Sequence, residues 1–158
     1  MLEKECGLSG IKLRPLPHFS WHIAEQYDVK ALEGYLATFA KTQTSFWVRT
    51  AGLGIFTGLE PVLYLNLVKD TTLMERHQKI WENVSELSNR ISVYYSPSYW
   101  IPHITLANLD LSDSKLECAV RQLAFRDLDF QIRASEIALL YDIEDQTGIV
   151  YKFELRNM

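Results

Sequence analysis

One six-residue pattern occurs twice in this chain and limits what it can fold into more than any other feature. Leu16-Pro17-His18-Phe19-Ser20-Trp21 and Ile101-Pro102-His103-Ile104-Thr105-Leu106 share the order apolar, proline, histidine, apolar, hydroxyl, apolar, 85 residues apart. The likeness continues downstream. Each is followed by a helical stretch of similar length, then by Phe46-Trp47-Val48-Arg49 or Phe130-Gln131-Ile132-Arg133, offset by 84 residues, and then by a closing strand, Pro61 to Val68 or Gly148 to Leu155. The chain therefore reads as two copies of a strand, helix, strand, strand unit, and two copies cannot stack into a solenoid. They predict an α+β fold of two pseudo-symmetric lobes, each a small antiparallel sheet with outer helices, around a central cleft across which the histidines face each other.

These limits imply one bilobal domain over 1–158, with repeat one over about 11–68, a linking helix over about 72–87 and repeat two over about 91–155. Only about a dozen residues precede the first copy, whereas a strand and a long helix precede the second. The first lobe is thus expected to lack an N-terminal strand and helix, leaving a sheet edge for a second copy (a homodimer), for upstream residues or for solvent to cover.

Local patterns supply the elements. His18, Ser20 and His22 alternate with Phe19, Trp21 and Ile23, as in a half-buried strand. Asp28 is placed to cap a helix carrying Leu32, Tyr35, Leu36 and Phe39 at three- and four-residue spacing. Strands are read over Ser45 to Thr50 and Pro61 to Val68, with the glycines of Gly52-Leu53-Gly54 turning the chain between them. Asp70 or Thr71 caps the longest helix, about Thr72 to Leu87. Ile91 to Tyr95 reads as extended, Pro97 and Pro102 punctuate a loop, and His103 to Leu109 is the second alternating strand. A helix from Lys115 to about Phe125 follows, then strands over Phe130 to Tyr141 and Gly148 to Leu155 joined by an acidic turn through Asp142, Glu144 and Asp145. Ile11 and Leu13 alternate like a short strand before Pro15.

Composition narrows the function. A chain of 158 residues, 47% hydrophobic, can bury a full core. Its net charge of -4 argues against broad, charge-driven binding to nucleic acid, so a nucleotide partner should be small or gripped locally. No run approaches a membrane span and the N-terminus lacks signal-peptide character, which gives the expectation of a cytoplasmic protein without membrane partners. Cys6 and Cys118 lie far apart with no CxxC spacing and are expected to be free thiols.

The paired motifs have a chemical rationale. Opening a cyclic phosphate, or closing one from a neighbouring hydroxyl, needs a proton removed from the nucleophile and another delivered to the leaving oxygen. Histidine does either near neutral pH. A hydroxyl two residues along a strand lies on the same face, about 6 to 7 Å on, where it can hydrogen-bond a non-bridging phosphate oxygen.

On these residues the chain resembles the 2H phosphoesterase superfamily, which includes 2'-5' RNA ligase-like proteins and cyclic nucleotide phosphodiesterases. That family carries two H-x-T/S motifs on a two-lobed α+β fold with a cleft and needs no metal or other cofactor. The resemblance spans about 11–155. It implies His18 and His103 as the catalytic pair and Ser20 and Thr105 as phosphate ligands; the symmetry leaves either histidine as acid or base, with His103 taken as the base and His18 as the acid. It also implies a metal-independent phosphoesterase acting on a nucleotide or an RNA end, by 2',3'-cyclic phosphate hydrolysis or 2'-5' RNA ligase-like chemistry. The alternative is a non-catalytic nucleotide- or RNA-binding module using the same cleft.

Other residues have a functional and a structural reading. His22 shares the strand face of His18 and extends the site unless it is a solvent-exposed edge residue. Phe56, Tyr95, Trp100 and Tyr141 flank turns near the expected cleft, where a ring can stack on a base. Core packing is the default reading for each, least firmly for Tyr95 and Trp100 in the loop just before His103. His77 sits on an amphipathic helix and reads as surface or helix packing. Arg49 and Arg133, at equivalent repeat positions, either add positive charge to a phosphate site or belong to a solvated strand face.

Overall fold

The structure, a computed structural model, describes residues 1–9, 16–143 and 146–157. In chain order it contains α1 (Leu2–Cys6), β1 (Ala24–Tyr27), α2 (Val29–Thr42), β2 (Phe46–Phe56), β3 (Val62–Leu67), α3 (Thr71–Ser85), β4 (Ser88–Ile91), β5 (His103–Ala107), α4 (Asp113–Leu123), β6 (Gln131–Ala134), β7 (Glu136–Ile143) and β8 (Gln146–Glu154). The class is α+β with antiparallel sheets. The expected alternation at Ile11 and Leu13, and the Glu144-Asp145 tip of the acidic turn, lie outside the described residues.

β5, β3, β2 and β6 form one sheet in that order, while β1 pairs with β4 and β7 with β8. This sheet combines both repeats, with β3 and β2 of the first copy flanked by β5 and β6 of the second. Between β2 and β6 the register sets Val48 opposite Ile132, residues that the sequence repeat makes equivalent. An antiparallel pair has a local two-fold axis, and between β2 and β6 that axis exchanges residues that the sequence repeat makes equivalent.

Both long helices start where a side-chain acceptor is available. Asp28 accepts from the Ala31 amide at 3.0 Å and Asp70 from the Leu73 amide at 2.7 Å, each satisfying a donor that the first helical turn leaves unpaired. The 3.6-residue periodicity then turns Leu32, Leu36 and Phe39 of α2 and Leu73, Ile80 and Val84 of α3 into one core with Phe46, Val48, Leu67, Trp100 and Ile137. Each such side chain contributes about 1.5 to 3 kcal/mol when fully buried. A second cluster joins Leu63 and Ala107 to α4 and the N-terminus through Leu8, Leu111, Ala119 and Leu123.

Four local expectations need correction. Residues 18–23 form no strand, and regular pairing begins only at Ala24. Alternation makes a segment fit for a sheet, but a strand exists only where a neighbour supplies a ladder. The Ile91 to Tyr95 segment is split, with β4 ending at Ile91 and a 3-10 turn over Val93–Tyr95. Gly52 and Gly54 do not turn the chain. β2 runs on to Phe56 with a bulge between Thr50 and Leu53, where Gly52 adopts φ +73°, and the turn falls later, around Gly58. Finally, Cys6 and Cys118 are not free thiols but a disulfide, with Cα atoms 5.7 Å apart. Packing of α1 on α4 brings them together across 112 residues, which spacing along the chain does not reveal. Among the described residues no helix is long and apolar enough to cross a membrane.

Candidate active site

Both motif histidines are held in the same way. His18 donates its Nδ1–H to the Leu16 carbonyl at 2.8 Å, and His103 donates its Nδ1–H to the Ile101 carbonyl at 2.7 Å. A carbonyl carries no proton, so each Nδ1 must be the donor. In each motif the intervening residue is proline, which fixes its own φ and keeps the residue before it extended. The same short sequence thus presents the same carbonyl to each ring. The consequence is chemical: with Nδ1 protonated and tied down, Nε2 of each ring is the atom left to gain or lose a proton.

Neither ring is sealed in the interior; both side chains are half-buried. His103 titrates below the ordinary histidine value because burial penalises its charged form, the bond to Ile101 opposing and the nearby charge of His18 adding to the effect. The two imidazoles are therefore close enough to feel each other's charge. Burial thus favours the neutral form of His103.

The ladder builds the surroundings of His103. Along β5, His103 and Thr105 share a face, and the register sets His103 opposite Asn66 and Thr105 opposite Tyr64. Tyr64 in turn lies opposite Gly54, two residues before Phe56. The rings meet: Phe56 packs edge-on to His103 at 4.9 Å, Tyr64 lies 5.0 Å from it, and Phe56 and Tyr64 are 4.3 Å apart. Gly54 is required here, because a Cβ would fall 2.3 Å from two Tyr64 ring atoms. Among the described residues, neither the Thr105 nor the Ser20 hydroxyl makes a hydrogen bond within the chain.

Phe56 thus lies beside His103. Trp100 does not line a cleft: it is 1% exposed, donates its indole N–H to the Ser20 carbonyl at 2.9 Å and stacks on His77 at 3.8 Å. The reason is its two-ring area, which packs best in the core that Trp21 and Phe46 also enter. Tyr95 packs against the same core, and its carbonyl accepts from His77 Nε2 at 3.0 Å. His22 neither extends the His18 site nor lies free in solvent. Its Nδ1 bonds the Tyr27 hydroxyl at 2.9 Å and its Nε2 contacts Ser85 Oγ at 3.4 Å, with the ring against Trp81. Burial and the nearby charge of His77 push its pKa down to about 4.

His77 is fully buried, so the packing reading holds for it. Arg49 forms a two-point ion pair with Asp129, and Arg133 donates to Ser45 Oγ and Asn157 Oδ1. Tyr141 lies across Gly148 as Tyr64 lies across Gly54. Tyr64 and Asn66 are the neighbours of His103 that sequence reasoning passed over. The available signal was an asparagine set two residues from a tyrosine inside the otherwise apolar Val62–Leu67 strand.

Comparison with known proteins gives one family. The sequence model of the 2'-5' RNA ligase superfamily matches residues 7–146, which include both histidine motifs. No curated protein matches the chain.

Proposed function

Because the chain belongs to the 2'-5' RNA ligase superfamily, that of the 2H phosphoesterases, we propose that it hydrolyses a 2',3'-cyclic phosphate on a nucleotide or RNA end without a metal. The observation that carries this reading is the matched anchoring of two neighbouring imidazoles, each tied through Nδ1 and free at Nε2. An acid and a base of one chemical type then differ only in whether Nε2 holds a proton.

His103, held neutral by burial, is the base. Its Nε2 takes a proton from water as the water oxygen bonds to phosphorus. The bond from phosphorus to one ribose oxygen breaks, and His18 Nε2–H protonates that oxygen. The product is a phosphomonoester with a free neighbouring hydroxyl. Ser20 and Thr105 donate to the non-bridging oxygens, where negative charge builds in the transition state. With an RNA 5'-hydroxyl in place of water the roles are unchanged: His103 takes the proton of the attacking hydroxyl, the bond from phosphorus to one ribose oxygen breaks, and His18 protonates that oxygen, leaving a phosphodiester; only the reverse step, which closes the cyclic phosphate, exchanges acid and base.

The test is turnover of 2',3'-cyclic nucleotides in the presence of a chelator. General acid–base catalysis contributes about 10²- to 10⁴-fold per group. His18→Ala and His103→Ala should each lose activity on that scale while retaining the parent's circular dichroism and melting profile. Tight binding with no turnover across cyclic and linear phosphodiesters would overturn the reading.

A further inference from the structure

The two motifs are supported very differently. His103 stands in a hydrogen-bonded ladder beside β3. The stretch 17–22 belongs to no ladder; its main chain meets the rest of the molecule where the Trp100 indole N–H donates to the Ser20 carbonyl at 2.9 Å and where the Trp21 backbone faces the His77 ring. The donor lies three residues before His103, and the acceptor two residues after His18.

The rings repeat the connection. Trp21, which follows Ser20, lies 5.5 Å from Trp100 and within 22° of parallel. Trp100 stacks on His77 at 3.8 Å and 9°. His77 is immobile in its turn, since it is fully buried in α3 and its Nε2–H donates to the Tyr95 carbonyl in the loop that leads to Trp100. The Trp21 backbone faces the same buried ring. The proton bookkeeping uses none of these three residues, yet together they bridge the two motifs.

We propose that Trp100 is a positioning residue that fixes the first histidine motif relative to the second, through its indole N–H and the ring stack it shares with Trp21 and His77. The catalytic consequence rests on the hydrolase reading above; the geometric claim does not. Near-attack geometry tolerates little displacement, with errors near 1 Å costing on the order of 100-fold in rate. A motif without a ladder takes its position from side-chain packing, and Trp100 is the part of that packing that also leads directly into the second motif.

The first measurement uses the unaltered protein. Hydrogen exchange of the indole N–H groups, followed by two-dimensional NMR, should show Trp100 protected about 100-fold or more relative to Trp47, whose side chain is 50% exposed. Exchange as fast as that of Trp47 would overturn the proposal. The second measurement uses Trp100→Phe, which keeps an aromatic ring but removes the N–H. In the parent, His18→Gln should raise the His103 titration midpoint, because a neighbouring positive charge is lost. In the Trp100→Phe background the same substitution should shift it by less than half as much. An unchanged shift would show that Trp100 does not set the spacing.

With a 2',3'-cyclic nucleotide, Trp100→Phe should lower kcat about 10-fold or more with KM nearly constant, and equal kcat would again refute the role. If the parent itself turns over no such substrate, the functional reading fails while both NMR measurements still decide the structural one. If Trp100→Phe does not fold, the exchange measurement decides alone.

Discussion

Gly54→Ala is a single-methyl test of whether the rings around His103 are packed as described. Gly54 lies opposite Tyr64 in the β2–β3 pair and its φ is outside the left-handed region, so the backbone itself accepts alanine. The new Cβ would sit 2.3 Å from Tyr64 Cε2 and Cζ and 2.6 Å from Oη, where ordinary contact begins at 3.4 Å, so the ring must retreat by about 1 Å. Tyr64 is 8% exposed, with Phe56 at 4.3 Å and His103 at 5.0 Å, and its retreat disturbs both. Overpacking costs about 1 to 3 kcal/mol, from which the entropic gain of replacing glycine, about 0.4 to 1 kcal/mol, is subtracted. A net loss of about 1 to 2 kcal/mol corresponds to a melting temperature lower by about 2 to 8 °C in a domain of this size. A catalytic ring displaced by a large part of an ångström should also cost about 10- to 100-fold in kcat/KM. Calorimetry and initial rates on Gly54→Ala, Tyr64→Leu and the double variant give the answer. Because Tyr64→Leu removes the clashing atoms, the two stability changes should be non-additive by about 1 kcal/mol or more. An alanine variant with parental stability and activity, or strictly additive changes, would refute the packing of Tyr64 across Gly54.

Three further outcomes are expected. In the proposed mechanism His103 must be neutral to accept a proton, and its pKa lies below the ordinary value, so kcat/KM should fall on the acid side with a midpoint under about 6.5. An acid limb centred at or above that value removes His103 as the base. His22 prefers the neutral form in the fold, with a pKa of about 4, so the unfolded chain binds the extra proton as pH drops from about 6.5. Stability should therefore decline from pH 6.5 toward 4, by about 1 to 2 kcal/mol after allowing for its partial exposure, and His22→Gln should flatten that slope in urea titrations. The disulfide closes a long loop across 112 residues. Thiol titration of the denatured, unreduced protein should find no free thiol, and Cys118→Ser should lose about 2 to 4 kcal/mol. Two titratable thiols would overturn the pairing.

Sequence showed most clearly what depends on neighbours along the chain. Asp28 and Asp70 cap the helices they precede because capping is an interaction over three residues. The anchoring of both histidines follows from Pro-His and a carbonyl two residues back. Reasoning failed where a contact partner is remote in sequence. The pattern of residues 18–23 fits a strand, but the pattern does not say whether another strand lies alongside. Gly52 and Gly54 look like turn residues until β3 is laid beside them; then one makes a bulge and the other yields space to Tyr64. Trp100 is buried as its default reading has it, but its partners, Ser20 and His77, are ones the chain order does not reveal. Asn66 and Tyr64 became neighbours of His103 only through the register of β3 on β5.

The duplicated motif also shows how far symmetry serves a two-histidine site. Proton transfer in opposite directions requires one ring to start charged and the other neutral, and two identical surroundings would give neither ring a preference. The local frame is duplicated: the same proline, the same carbonyl, the same free nitrogen. The wider frame is not. His103 is set in a ladder and packed against Phe56 and Tyr64, whose rings replace water around it and disfavour its charge. His18 has no ladder and takes its place from Trp100 through Ser20. Duplication thus accounts for two imidazoles presented alike, and the unlike surroundings of the two rings are what the proposed acid and base roles rest on.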